Sequence, residues 1–162
     1  LPLVESNEES RSVTISSVDQ LTGDDNFHDL AWEQRKYDAP KAYADSKIAN
    51  LYFTYELARK LNKSSIKVLA AHPGWTSTNL QKNWRLFRLL NPFFAQKPEM
   101  GALPTLRAAT DPDAQSGDYF GPSGWQEVRG YPKKVASNKR SNDKEIAENL
   151  WRASEKLTGI KY

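Results

Sequence analysis

A strand, a helix and a second strand follow one another between residues 12 and 72, and that succession constrains the fold more than any other feature of the chain. Ser12-Val13-Thr14-Ile15-Ser16 is a short β-branched run bounded by polar residues, a composition that suits a pleated, buried surface. From Pro40 onward Ile48, Leu51, Tyr52, Tyr55 and Ala58 recur at steps of three and four residues, the period of one helix face. Asp38 and Pro40 mark the start of that helix, which runs to near Asn62. Ile66-Lys67-Val68-Leu69-Ala70-Ala71 then reads as a second buried strand, broken by His72-Pro73-Gly74. Parallel neighbours in a sheet need a crossover of this kind, so the pattern is the βαβ unit of a parallel α/β fold.

The remaining segments fit the same architecture. Residues 17–39 are polar, contain Gly23, and read as a long loop with one turn of helix; functional loops are often this long. Residues 97–110 are helix-like despite Pro104, and Gly117-Asp118-Tyr119-Phe120-Gly121 reads as a short last strand. Residues 124–140, rich in Lys, Arg, Gly and Pro, read as a surface loop. A final helix over 143–156 is expected to turn Ile146, Leu150, Ala153 and Leu157 to the core, capped by Ser141 or Asn142 and stopped by Gly159.

Composition sets the outer limits. A chain of 162 residues with 38% hydrophobic content can bury one core, so residues 1–162 are read as a single domain. Its 23 basic and 20 acidic residues are interspersed, for a net charge of +3, which speaks against a nucleic-acid partner. Without cysteine there is no disulfide framework and no thiolate metal site, as suits a reducing, cytoplasmic compartment. Two histidines are too few to suggest a metal centre. No secretory signal is visible, and no apolar run approaches the roughly 18 residues that span a bilayer. Trp84-Arg85-Leu86-Phe87-Arg88-Leu89-Leu90 is the nearest thing, stopped at Asn91-Pro92. Three readings are open for it: a lid over an apolar substrate, a helix packed on the core, or a membrane-surface helix giving peripheral membrane contact.

The chemistry candidate is Tyr-x-x-x-Lys, because residues four apart share a helix face. With 7 tyrosines and 14 lysines in the chain, the spacing alone arises by chance roughly 0.6 times, and it occurs twice. Tyr37 and Lys41 are a decoy, since Pro40 pushes the residue before it out of the α region and the pair straddles a helix start. Tyr43 and Lys47 lie wholly within the helix. A free tyrosine titrates near 10; lowering it by about three units needs roughly 4 kcal/mol, which a lysine cation at about 4 Å supplies at an effective dielectric near 20. The competing account is a surface tyrosine beside a solvated lysine.

Several motifs in order resemble the short-chain dehydrogenase/reductases. Thr14-Ile15-Ser16-Ser17 is similar to the family strand that ends in the catalytic serine, and Tyr43-Ala44-Asp45-Ser46-Lys47-Ile48-Ala49-Asn50 to its active-site helix. His72-Pro73-Gly74-Trp75-Thr76-Ser77-Thr78 resembles the turn that holds the nicotinamide carboxamide. The long serine-to-tyrosine loop with Asn26-Phe27-His28-Asp29-Leu30, the phrase Leu51-Tyr52-Phe53-Thr54-Tyr55-Glu56-Leu57-Ala58 and the ending Leu150-Trp151 through Leu157-Thr158-Gly159 resemble the retinol-dehydrogenase-like branch. Protochlorophyllide reductases share the main motifs but use a cysteine near the site, and this chain has none.

The resemblance implies the C-terminal part of a Rossmann-type doubly wound parallel sheet and a hydride transfer between NADP or NAD, NADP being favoured, and a small-molecule alcohol, aldehyde or ketone of bulky or apolar type. Ser17, Tyr43 and Lys47 would be the catalytic residues, and Tyr43, Lys47, Pro73, Gly74, Thr76 and Thr78 would hold the cofactor. Ser17 is chosen over Ser16 because the family's serine is the second of such a pair. Thr78 is favoured over Thr76 for the side-chain bond. The chain departs from the family in lacking a Gly-x-x-x-Gly-x-Gly turn and an Asn-Asn-Ala-Gly segment, so the N-terminal dinucleotide-binding βαβ units are expected to be missing. A sheet without those strands exposes an edge through which the chain could form a homo-oligomer. Two alternatives to an enzyme are a non-catalytic remnant serving as an interaction module, favoured by the missing units and the aromatics Trp84, Phe87, Phe93 and Phe94, and a peripheral membrane protein held by residues 84–94.

Overall fold

The computed structural model describes residues 10–76 and 95–161. Four strands form one sheet in the order β1 (Arg11–Ile15), β2 (Lys67–Ala71), β3 (Tyr119–Pro122) and β4 (Pro132–Lys134). β1 and β2 pair in parallel, with Val13 opposite Leu69, and β2 and β3 pair in parallel, with Ala71 opposite Phe120. β4 returns antiparallel on β3. The α/β architecture with a parallel sheet is thus the one expected; β4 corrects the reading of residues 124–140 as loop throughout. Its Pro132 sits at a strand end on the sheet edge, where a missing amide breaks no ladder.

β2 is buried from Val68 onward, and its alternation sorts the helices into two layers. Val68 packs with Leu57, Leu61, Ile66 and Trp151, and Ala70 with Leu51 and Tyr119. That face is covered by α1 (Ala39–Lys60) and, through α1, by α3 (Lys144–Thr158). Leu69 and Ala71 point the other way, against Ala108 of α2 (Pro98–Thr110), Ala114 and Phe120. Helices on both faces are what a sheet buried on both sides requires.

Local chemistry explains each helix. Asp38, extended at φ −127 and ψ 106, accepts from Lys41 N at 3.2 Å and so caps α1, with Pro40 in the first turn. Pro104 removes one bond from the interior of α2 without ending it. α3 is capped by Asp143, whose Oδ1 accepts from Glu145 N at 2.9 Å and Ile146 N at 3.1 Å, and not by Ser141 or Asn142. Gly159 at φ 71 stops it as expected. Its buried face is Ala147, Leu150 and Trp151, whereas Leu157 is 70% exposed: the expected stripe is rotated because α3 packs on Ile48 and Tyr52 of α1.

The loop between β1 and α1 holds two short 3-10 turns, Val18–Leu21 and Phe27–Asp29, where one turn was expected. Phe27 meets Tyr52 edge-on with ring centres 5.9 Å apart. Asp29 accepts from the amides of Glu33, Gln34 and Arg35, and Lys41 ties the loop down by pairing with Asp24 at 2.7 Å and Asp45 at 2.5 Å. The decoy lysine is thereby occupied, while Tyr37 is 66% exposed.

Candidate functional site

The two serines after β1 have separate tasks. Ser16 is 1% exposed and donates through Oγ to Lys47 O at 2.8 Å, bolting β1 to α1. Ser17 caps the first 3-10 turn: its Oγ accepts from Asp19 N at 3.2 Å and donates to Asp19 Oδ2 at 2.8 Å. Ser17 and not Ser16 lines a cleft of about 1140 Å³.

Tyr43, Lys47 and Asn50 make a stripe at spacings of four and three on α1, turned toward the end of β1. Lys47 Nζ donates to Ile15 O at 3.3 Å and Asn50 Nδ2 donates to the same oxygen at 2.9 Å. Lys47 Nζ stands 5.2 Å from the centre of the Tyr43 ring. Tyr43 reaches the Ser17 hydroxyl and lines the same cleft.

The electrostatics correct one expectation. Burial pushes the Tyr43 phenol above its ordinary value; the hydrogen bond with Ser17 draws it partly back, and the Asp19 carboxylate adds to the rise. Burial pushes Lys47 below its ordinary value, and Asp19 opposes that. A downward pull of Lys47 on Tyr43 was expected, but the ammonium lies over the ring and is bonded to a backbone carbonyl, so desolvation of the phenol prevails.

The opposite wall is the turn after β2. Gly74 has φ 64, and a Cβ there would overlap Val128 O and come within 2.7 Å of Pro122 Cγ, so only glycine fits. Pro73 O accepts two bonds, from Thr76 Oγ1 at 2.9 Å and from Gln96 Nε2 at 2.7 Å. The Thr76 hydroxyl proton thus braces the turn. Pro73, Gly74 and Thr76 line the cleft with Ser17 and Tyr43, so five of the seven site residues named from sequence meet in one place. Lys47 backs the tyrosine against β1, and Thr78 lies outside the described residues, as does the segment 84–90 with its lid, core and membrane readings.

Apolar side chains supply much of the remaining wall, among them Val18, Ala42, Trp75, Ala102 and Val128. A half-buried proton donor with a hydroxyl beside it, at the side of a largely apolar cleft, can protonate the oxygen of an apolar carbonyl compound. Among the described residues no cluster of His, Cys, Asp or Glu could hold a metal ion, and no helix is long and apolar enough to cross a membrane.

Sequence reasoning assigned no role to Asp19, Asn50, Gln96 or Glu127. Asn50 was within reach of it, one turn beyond Lys47 on the same stripe. Gln96 and Glu127 carry no local signal: their partners, Pro73 and His72, lie 23 and 55 residues away.

Known proteins resemble this chain along almost its whole length. Retinol dehydrogenase 14 of Homo sapiens is 36% identical over 99% of the chain, retinol dehydrogenase 12 of Mus musculus 35% over 94%, and retinol dehydrogenase 13 of Mus musculus 33% over 93%. The chain spans about half the length of these relatives, 46% to 47%. A crystal structure of an uncharacterized protein from Mycobacterium paratuberculosis superposes with a TM-score of 0.75 at 36% identity, covering 94% of this chain and 51% of that one. No family model matches.

Proposed function

The chain belongs to the short-chain dehydrogenase/reductase family, in its retinol-dehydrogenase-like branch, and on that premise we propose that its site serves hydride transfer between NADP or NAD and a bulky, apolar alcohol or carbonyl compound. The observation that carries the proposal is the meeting of Ser17, Tyr43, Pro73, Gly74 and Thr76 on one largely apolar cleft, with Lys47 directly behind the tyrosine.

The donor set fits a nicotinamide nucleoside: backbone groups and hydroxyls on the 73–76 turn suit a neutral carboxamide, and an ammonium suits ribose hydroxyls. Lys47, Tyr43, Pro73, Gly74, Thr76 and Thr78 are the residues that would hold it. When bound in reduced form, the cofactor supplies the hydride that reaches the carbonyl carbon. Tyr43 gives its phenolic proton to the carbonyl oxygen, which becomes the alcohol hydroxyl. Ser17 holds that oxygen by a hydrogen bond, after its own proton turns from Asp19. Lys47, drawn to Ile15 O, keeps the Tyr43 ring in place, and its ammonium offsets the negative charge left on the phenolate as the phenol loses its proton. The raised Tyr43 pKa keeps the phenol protonated at neutral pH, the form that carbonyl reduction needs.

The relatives' names point to retinoids as the substrate class. All-trans-retinal and a long-chain aldehyde are therefore offered with NADPH and with NADH, and loss of reduced cofactor is followed. Wild type is expected to turn over, with Tyr43→Phe slower by about 100-fold or more and still able to bind cofactor. A Tyr43→Phe variant as fast as wild type would sink the proposal.

A further inference from the structure

We infer that Glu127 is a positioning residue for the turn assigned to the nicotinamide, acting through His72; the inference rests on that assignment of Pro73 and Gly74. His72 follows β2 and is wholly buried. Its ring packs against Gly121, where a Cβ would overlap Nε2 and approach Cδ2 to 2.6 Å, and lies 5.1 Å from the Tyr119 ring centre. Gly74 N donates to His72 Nδ1 at 3.3 Å. A ring nitrogen that accepts carries no proton, so the hydrogen-bond network places the proton on Nε2, which donates to Glu127 Oε2 at 2.9 Å.

Glu127 reaches that carboxylate position from unfavourable backbone. Gln126 and Glu127 have φ 48 and 57, two consecutive non-glycine residues in the left-handed region. Such conformations persist where the surroundings over-determine them, and they gather at functional sites. Here the loop and the turn are joined three times. His72 meets Glu127, Trp75 N donates to Val128 O at 2.7 Å, and Gln96 spans both by donating to Pro73 O and accepting from Gly130 N at 3.1 Å.

The carboxylate does more than fill space. Without an acceptor the Nε2–H is left as an unpaired donor in a buried site, so the ring gains by turning it toward another partner, and Nδ1 is then withdrawn from Gly74 N–H. The Gly74 peptide loses that hold, and the wall offered to a carboxamide moves with it. A plug would need only the volume of the ring; this arrangement needs its orientation.

The test compares wild type, Glu127→Ala and Glu127→Gln in the full chain. Only His28 and His72 contribute imidazole signals, so nitrogen-15 spectra resolve the His72 tautomer directly. Wild type and Glu127→Gln, whose amide oxygen still accepts, should show protonated Nε2 and a protected Gly74 amide. Glu127→Ala should move or broaden both His72 ring-nitrogen signals as the ring loses its fixed orientation, with Gly74 exchange faster by about tenfold or more. NADPH should bind Glu127→Ala about tenfold or more weakly, and Glu127→Gln within roughly threefold of wild type. Unchanged spectra in Glu127→Ala would overturn the inference, and so would equal losses in both variants. If wild type binds neither NADPH nor NADH, the proposed function fails, while the spectra still decide the role of Glu127.

Discussion

Replacing Gly101 by alanine sets helix propensity against packing, and the structure decides the sign. In an exposed helix interior the change would stabilise by about 1 kcal/mol, since alanine loses less backbone freedom than glycine. Gly101 is buried in α2 against the turn after β2, and a Cβ there would overlap Thr76 Oγ1 and stand 2.7 Å from Cγ2 and 3.0 Å from Cβ. Forcing a methyl into a filled site costs about 1–3 kcal/mol. Displacing the Thr76 hydroxyl also loses its bond to Pro73 O, about 1 kcal/mol more. The net expectation is destabilisation by about 1–3 kcal/mol, read as a lower urea midpoint at unchanged m. The cause is isolated by a double-mutant cycle with Thr76→Ala, which removes Oγ1 and Cγ2 and leaves only the contact at 3.0 Å. Gly101→Ala should cost less in that background, with a coupling of about 1 kcal/mol or more. A Gly101→Ala protein more stable than wild type, or a cycle with no coupling, would refute the reasoning.

Ser16→Ala should lower stability by about 1 kcal/mol, because the lost Oγ bond leaves Lys47 O without that donor in a buried site, and should leave the rate largely intact; Ser17→Ala should cost a similar amount by losing the cap of the 18–21 turn but should also slow the rate, as denaturation curves and turnover measured together will show. Asp19→Asn removes a carboxylate that raises the Tyr43 pKa, so the alkaline limb of the reduction rate should move to lower pH; an unmoved limb contradicts this. Burial pushes Tyr52 up to about 12, so the stability tied to its neutral phenol is whole below pH about 10 and is lost as pH rises through about 12. Its hydroxyl is buried and makes no well-formed hydrogen bond among the described residues, the nearby Arg140 guanidinium only drawing the rise partly back. Tyr52→Phe should therefore cost little at neutral pH and flatten the alkaline fall in urea midpoint; an undiminished fall would rule out Tyr52 as its source.

Local rules carried most of the architecture and, of the seven site residues named from sequence, the placing of Tyr43 and Lys47. Period and capping placed α1 within one or two residues, because Asp38, Pro40 and the recurring apolar positions act within a turn of themselves. The same locality exposed Tyr37 and Lys41 as a decoy and put Tyr43 and Lys47 on one face. Ser17, Pro73 and Gly74 were legible only as a resemblance in order along the chain, since nothing local says that residues 17 and 73 meet. Parallel pairing of β1 and β2 brings them together.

What lay outside the sequence was decided by packing between distant segments. The buried face of α3 depends on which side of α1 it meets, and no periodicity in α3 alone encodes that rotation. β4 exists because β3 offers it an edge. The direction of the Tyr43 pKa reverses expectation because burial is a property of the assembled fold, whereas spacing reports only that a lysine is near. Gln96 and Glu127 are ordinary polar residues in sequence; the turn they hold gives them their meaning, through bonds that span 23 and 55 residues.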